Sequence, residues 1–598
     1  MDEFDVLIRD AMIVDGSGKA RYKGSIGIKG DKVAAVGEVK GDAKEVIDAS
    51  GLIAVPGFID AHSHGDHTLL FFPKCENYVL QGVTTFVGGE CGGSPAPLGD
   101  LIPLPGIARE YIHELVTFKY YPPKSRFPRE QVNELMKEKF GWTVDWETMG
   151  EFFEKVEKVG ISCNYAPLVG HGTVRYCVMG EDYKRHATKV ERAEMEGLIR
   201  QALEDGCIGM SVGLDYDPDV FADREEIIEH VRILKEYGAV FCPHSRRTGR
   251  RRGWAAGHRL HDKIDGILEV LDICRATGVR MHIAHLFTGW YVNPQGYPHI
   301  LEEANRRATL AVIDEAVKEG LDISFDAIPN ALPTKFGGWS YLCALLVPWL
   351  RELGSREALA KWLKVPDFRE EVKDAIRRGR WFIRVAYNPN VNPRWAENIT
   401  VLKHKNPECE NKTIQQIAEE RKKDPFDTWL DLIAEDPDAK AAITTVYPSG
   451  TPDPFASYHA IFYQHPRSSV GLDIRIVDYK WQSKVPPWSV PSISTYSAYV
   501  GFFEKFVKRM KALTLEEAVY KTSTFVAERH NLKGRGVIKE GSYADIVLMD
   551  FENLKVTATP LEPRKQPKGI EYVFVNGVAV VKKGKHTGAT PGRVLRRK

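Results

Sequence analysis

The chain has 598 residues, 43% of them hydrophobic and 27% charged, with a formal net charge of +1. That length exceeds what one core supports, so two or more domains are expected. The balanced charge excludes bulk attraction to nucleic acid or to a membrane surface, and no apolar run approaches the roughly 18–20 residues of a transmembrane helix. The N-terminus, Met1-Asp2-Glu3-Phe4-Asp5, is acidic and lacks the apolar region of a signal peptide. Nine cysteines are scattered without a framework pattern. A cytoplasmic protein with reduced thiols is expected.

Residues 1–55 read as short strands, among them Val6-Leu7-Ile8, Met12-Ile13-Val14, Ser25-Ile26-Gly27-Ile28 and Val33-Ala34-Ala35-Val36. Gly16, Gly18 and the Gly30-Asp31 pair punctuate them as turns. Residues 56–533 alternate between β-rich apolar segments and helical stretches. Eight such segments fall at 57–64, 83–91, 161–170, 207–214, 239–245, 280–286, 321–328 and 469–473. Eight strand-then-helix units predict an α/β fold, a (β/α)8 TIM-like barrel. A minimal barrel needs about 250 residues, so the surplus is assigned to insertions near 101–142, 246–262 and 329–465. Residues 534–598 return to short strands, with a turn at Asn576-Gly577. The two ends together are expected to build one small β domain, with the barrel inserted between them.

Catalytic residues of such a barrel sit at the C-terminal ends of its strands, and reactive residues fall there. His62 and His64 end the first segment, Glu90 and Cys91 the second; His171 follows the third. His244 ends the fifth, His285 the sixth and Asp473 the eighth. Side chains at i and i+2 of a strand share a face, so His62 and His64 can converge on one ion. A thiolate and imidazoles at one barrel mouth suit Zn²⁺. Asp66 either orients a ligand or caps a turn. His171 either touches substrate or braces its loop. His282, three residues before His285, is expected on the opposite strand face as a structural residue. The arginine cluster at 246–252 is either a solvated loop or a lid that attracts an anion.

These residues resemble the amidohydrolase superfamily, and within it the D-aminoacylase (N-acyl-D-amino-acid deacylase) family. The motifs that carry the resemblance are Pro56-Gly57-Phe58-Ile59-Asp60-Ala61-His62-Ser63-His64-Gly65-Asp66, Glu90-Cys91-Gly92, Leu168-Val169-Gly170-His171-Gly172-Thr173-Val174-Arg175 and Gly213-Leu214-Asp215-Tyr216. The tail from Lys568 through His586-Thr587-Gly588 to Pro591-Gly592-Arg593 matches as well. The resemblance implies a barrel with a small β-sandwich domain made from both termini. It implies that Cys91, His244 and His285 hold a tight zinc and that His62 and His64 form a second, weaker site. It also implies hydrolysis of an amide C–N bond, with metal-activated water attacking the carbonyl and Asp473 as general base and then acid. A helix N-cap is the competing role for Asp473, and Asp478, beyond the strand, is the competing base. The implied partner is a small molecule, an N-acyl amino acid or small peptide, with room for a homo-oligomer.

The sequence also departs from that family. No lysine lies in the fourth segment, which favours the cysteine-type subset over hydantoinase-like relatives. Phe287 stands where the family has a substrate-binding lysine, and His465-Pro466-Arg467 precedes Asp473 instead of following it. Tyr216 matches a substrate-binding tyrosine, and Arg475, Lys480 or Lys484 is a candidate for the missing arginine. The alternatives are therefore a dipeptidase or another amide hydrolase, and, from a different class, a non-catalytic interaction protein. The complete ligand set speaks against the last.

Overall fold

The computed structural model describes residues 4–107, 126–215, 217–246, 263–286, 299–329, 340–378, 389–390, 393–443, 460–483 and 490–597. The 247–262 segment, Tyr216, Phe287 and Lys484 lie outside the described residues.

Eight parallel strands follow one another in chain order: Phe58–Asp60, Val83–Gly88, Asn164–Gly170, Gly209–Gly213, Val240–His244, Met281–Ile283, Ile323–Ala327 and Ser468–Val470. Each expected apolar segment contains one of them. The Ala61 amide donates to the Val470 carbonyl at 3.3 Å and the Asp473 amide to that of His62 at 2.8 Å. Ser63 also bridges Ile474 in parallel. The last strand thus meets the first, and the sheet closes into a barrel. All seven residues of Asn164–Gly170 are buried, as expected of a strand covered on both sides.

Capping chemistry starts the helices that wrap the barrel. Thr148 and Glu151 form a capping box at Met149–Val159, and Thr188 and Glu191 do the same at Lys189–Asp205. Asp223 caps Arg224–Glu236 by accepting from the Glu226 amide. Inside the barrel, Ile59, Ala61, Val87, Ala166, Leu168, Val240 and Cys242 pack with Val526 and Ala527 of the helix Thr524–Arg529. This helix plugs the lower end and leaves the mouth for chemistry.

Strands from both ends of the chain join in one nine-stranded sheet. Ile546–Met549 pairs antiparallel with Ile53–Pro56, the strand that leads straight into the barrel. A buried polar network ties this sheet to the barrel. Arg535 pairs with Asp545, Asp545 accepts from the Asn576 amide at 2.8 Å, and Asn576 Nδ2 donates to Asn164 Oδ1 at 2.8 Å. The long insertion after the seventh strand has its own core of Leu346, Leu350, Trp395, Phe426 and Trp429. It surrounds a three-stranded sheet built from Ser340–Tyr341, Ile399–Lys403 and Lys440–Ile443.

Candidate metal centre

Four barrel strands deliver five ligand-type side chains to one point. Cys91 Sγ lies 3.5 Å from His62 Nε2, 3.4 Å from His244 Nδ1 and 3.4 Å from His285 Nε2. His244 Nδ1 and His285 Nε2 are 2.9 Å apart. His64 joins His62 and Cys91 in a second set of converging donor atoms. His62, His244, His285 and Cys91 are buried, while 14% of the His64 side chain is exposed. Asp473 approaches from the eighth strand, with Oδ1 3.0 Å from His64 Nε2.

Three of these residues have left-handed backbone: Cys91 at φ 56°, His285 at φ 32° and Asp473 at φ 52°. Such conformations cost about 1–3 kcal/mol each and persist only where surroundings over-determine them. Each turns its side chain inward just past the last ladder pair of its strand. For that reason the expected opposition of His282 and His285 does not hold, since strand alternation ends at Ile283. His282 lies beneath the site inside the barrel, with Nδ1 2.7 Å from Ser324 Oγ and its ring against His530.

The Cys91 turn is held tightly. The Gly92 amide donates to Ser211 Oγ at 2.8 Å. A Cβ on Gly92 would meet Asp219 Oδ2 at 2.4 Å and the Gly213 nitrogen at 2.7 Å, so only glycine fits at this φ of 75°. Asp66 accepts from the Gly89 amide at 3.0 Å, and burial pushes its carboxyl up to about 7. Between an orienting and a turn-capping role, its bond is to the turn that carries Cys91.

A shell of carboxylates stands behind the donors. Asp215 Oδ2 is 3.7 Å from His244 Nε2; Glu90 Oε2 and Asp326 Oδ2 lie 3.7 and 3.8 Å from His62 Nδ1. Carboxylates behind ligating imidazoles fix their orientation and raise their basicity. Asp60 Oδ1 accepts from the amides of His62 at 3.1 Å and Leu472 at 2.8 Å, pinning together the loops that carry His62 and Asp473. Of these four acids, the sequence reading singled out only Glu90. Asp215 sat unremarked in a recognised motif, and Asp326 lies one residue before the end of the seventh strand, near the positional signal that marked the histidines.

His171 is completely buried. Nδ1 lies 2.9 Å from Asp219 Oδ1 and Nε2 2.9 Å from His230 Nδ1. This is a brace, and it leaves no ring edge for a substrate. The reason is Asp219, which also accepts from the Gly213 amide at 2.7 Å and draws the imidazole into the wall. Arg475 lines the cavity beside His64 and Cys91, whereas Asp478 accepts from the Lys480 and Trp481 amides and caps a local turn. That cavity, about 250 Å³, opens from His64, Glu90 and Cys91 and runs between Phe71, Leu98, Phe127, Trp142 and Tyr176.

The donor set fits a metal ion. Zinc with Zn–S of about 2.3 Å and Zn–N of about 2.0–2.1 Å in tetrahedral geometry separates sulfur from nitrogen by about 3.5 Å, against the 3.4 and 3.5 Å found here.

No family model matches the sequence. The chain is 27% identical to the D-aminoacylase of Alcaligenes xylosoxydans xylosoxydans over 595 residues, 99% of this chain and 98% of the relative. It is 26% identical to the N-acyl-D-glutamate deacylase of the same organism, covering 100% and 97%. A solved structure of D-aminoacylase, described for its binuclear metal centre, matches with a TM-score of 0.67 at 25% identity, over 99% of this chain and 100% of that one. Among the described residues no helix is long and apolar enough to cross a membrane.

Proposed function

We propose, for a chain that belongs to the D-aminoacylase family of amidohydrolases, that the protein is a metal-dependent hydrolase cleaving the amide bond of N-acyl-D-amino acids or small peptides. The observation that carries this reading is the position of Cys91 Sγ, 3.4–3.5 Å from imidazoles of both ligand groups, with the Asp473 carboxylate opposite. Cys91, His244 and His285 would hold a tight zinc. His62 and His64, sharing Cys91, would hold a second ion more weakly. Gly209–Gly213 carries no lysine, and Cys91, which belongs to both donor groups, would serve in its stead.

When bound, zinc supplies Lewis acidity, which polarises a carbonyl and makes water acidic enough to attack near neutral pH. The protein supplies the rest. Asp473 Oδ1 faces His62 and His64, and the side chain is 30% exposed, so water reaches it. There it accepts a proton from the attacking water and returns it to the leaving nitrogen. Arg475, two residues on and lining the cavity, would meet the substrate carboxylate, with Tyr216 as its expected companion. The deacylase relatives, both named for D-substrates, support the D configuration.

The test is direct. Zinc per chain is measured in purified protein, followed by turnover of a panel of N-acyl amino acids and dipeptides of both configurations. Bound zinc with turnover of D-compounds is the expected result. A zinc-loaded protein that hydrolyses none of the panel defeats the reading.

A further inference from the structure

Among the described residues, the cavity that opens from the metal centre contains one arginine the chemistry above does not use. Arg126 sits in its wall and is 4% exposed. Its NH1 donates to the Leu101 carbonyl at 3.4 Å, and its guanidinium lies 4.1 Å above the Tyr176 ring. Among the described residues no carboxylate lies within ion-pair distance of it. Three other buried arginines differ in this respect: Arg175 pairs with Glu226, Arg529 with Asp322 and Arg535 with Asp545. Burial lowers the Arg126 pKa to about 10, so it remains a cation at neutral pH.

A buried charge without a counter-ion is costly, and removing one partner of a buried pair leaves a penalty of about 3–5 kcal/mol. A cavity with apolar walls also strengthens any ion pair formed inside it. Phe127, Trp142, Tyr176 and Leu98 supply such walls beside Arg126. Its guanidinium presents a planar fork that matches a carboxylate in a bidentate pair.

We propose that Arg126 is a specificity-determining residue, which receives a second carboxylate, carried at the far end of the substrate part that fills this cavity. The preferred substrate is then an N-acyl amino acid with two acidic groups, one near Arg475 and one at Arg126. This rests on the reading of the site as an amide hydrolase. The guanidinium of Arg126, stacked on Tyr176, is positioned by the aromatic face, and its N–H groups beyond the one donated to Leu101 would meet the ligand.

Two matched pairs test it, each differing by a carboxylate against a carboxamide. N-acetyl-D-glutamate against N-acetyl-D-glutamine places the acid in the amino-acid half; N-succinyl-D-alanine against N-succinamoyl-D-alanine places it in the acyl half. The zinc-loaded wild type is expected to favour the acid of at least one pair by about 10²-fold in kcat/KM. Arg126→Met is expected to abolish that preference while leaving turnover of the carboxamide within a few-fold, which also shows that the variant is folded. Arg126→Lys is expected to restore part of it. Equal losses on acid and amide in Arg126→Met, or no preference for either acid in the wild type, would overturn the assignment. Should no compound be hydrolysed, the hydrolase reading fails, and calorimetric binding of the same pairs decides the other question. Tighter binding of an acid that vanishes in Arg126→Met supports the clamp, and equal binding of acid and amide rejects it.

Discussion

Asp473 Oδ1 lies 3.0 Å from His64 Nε2, so the residue expected to move protons is held by one of the expected metal ligands. Burial works to raise the Asp473 pKa. The hydrogen bond from His64 and the charges of His62, His64 and His285 prevail, and its carboxyl is held well below the ordinary value. The group beside His64 is a carboxylate, the form that can accept a proton.

Asp473→Asn is therefore expected to lower kcat by about 10²–10⁴-fold with zinc content and fold retained, since an amide cannot take the proton. Steady-state kinetics together with zinc analysis check this. A variant keeping more than about a tenth of the wild-type rate removes Asp473 from the base role.

Cys91 is the shared donor of both ligand groups. Cys91→Ala should lose most bound zinc, whereas His64→Ala should keep the ion held by Cys91, His244 and His285. Metal analysis after dialysis distinguishes the two. Folded Cys91→Ala protein with undiminished zinc would sink the assignment.

Behind His244, Asp215 acts through the ring and not on the substrate. Asp215→Asn is expected to weaken zinc binding about 10–100-fold, read by competition with a chelator of known affinity. Unchanged affinity would mean that the 3.7 Å approach of Asp215 to His244 Nε2 does nothing for the metal.

Acid should destabilise the fold through His230. Burial and the neighbouring His171 push its pKa down from 6.5 to about 3. The folded ring stays neutral while the unfolded one takes a proton below about pH 6.5. Stability therefore falls as pH drops from about 6.5 towards 3, by up to roughly 1.4 kcal/mol per pH unit. Denaturant unfolding at pH 7.5 and 5.0 should show a smaller pH effect in His230→Gln than in wild type, by roughly 1–2 kcal/mol. Identical pH effects would exclude His230 as a contributor.

Barrel, strand order and the positions of Cys91, His62, His64, His244, His285 and Asp473 were all legible in the sequence. Apolar runs of strand length recur there, and six of the eight end on or are followed by a reactive residue that the sequence marks. Local pattern records such features because a strand buried on both faces must be apolar and a barrel puts its chemistry at one end. Tertiary structure alone decided the rest. The left-handed turns at Cys91, His285 and Asp473 override strand alternation, and no residue type at those positions announces them. His171 was drawn into the wall by Asp219, 48 residues away. Arg126, in the segment near 101–142 assigned to an insertion, reached the cavity only because the chain folded it against Tyr176. Such pairings depend on which distant groups share a small, water-poor space, and that is set by packing of the whole chain, not by any window of it.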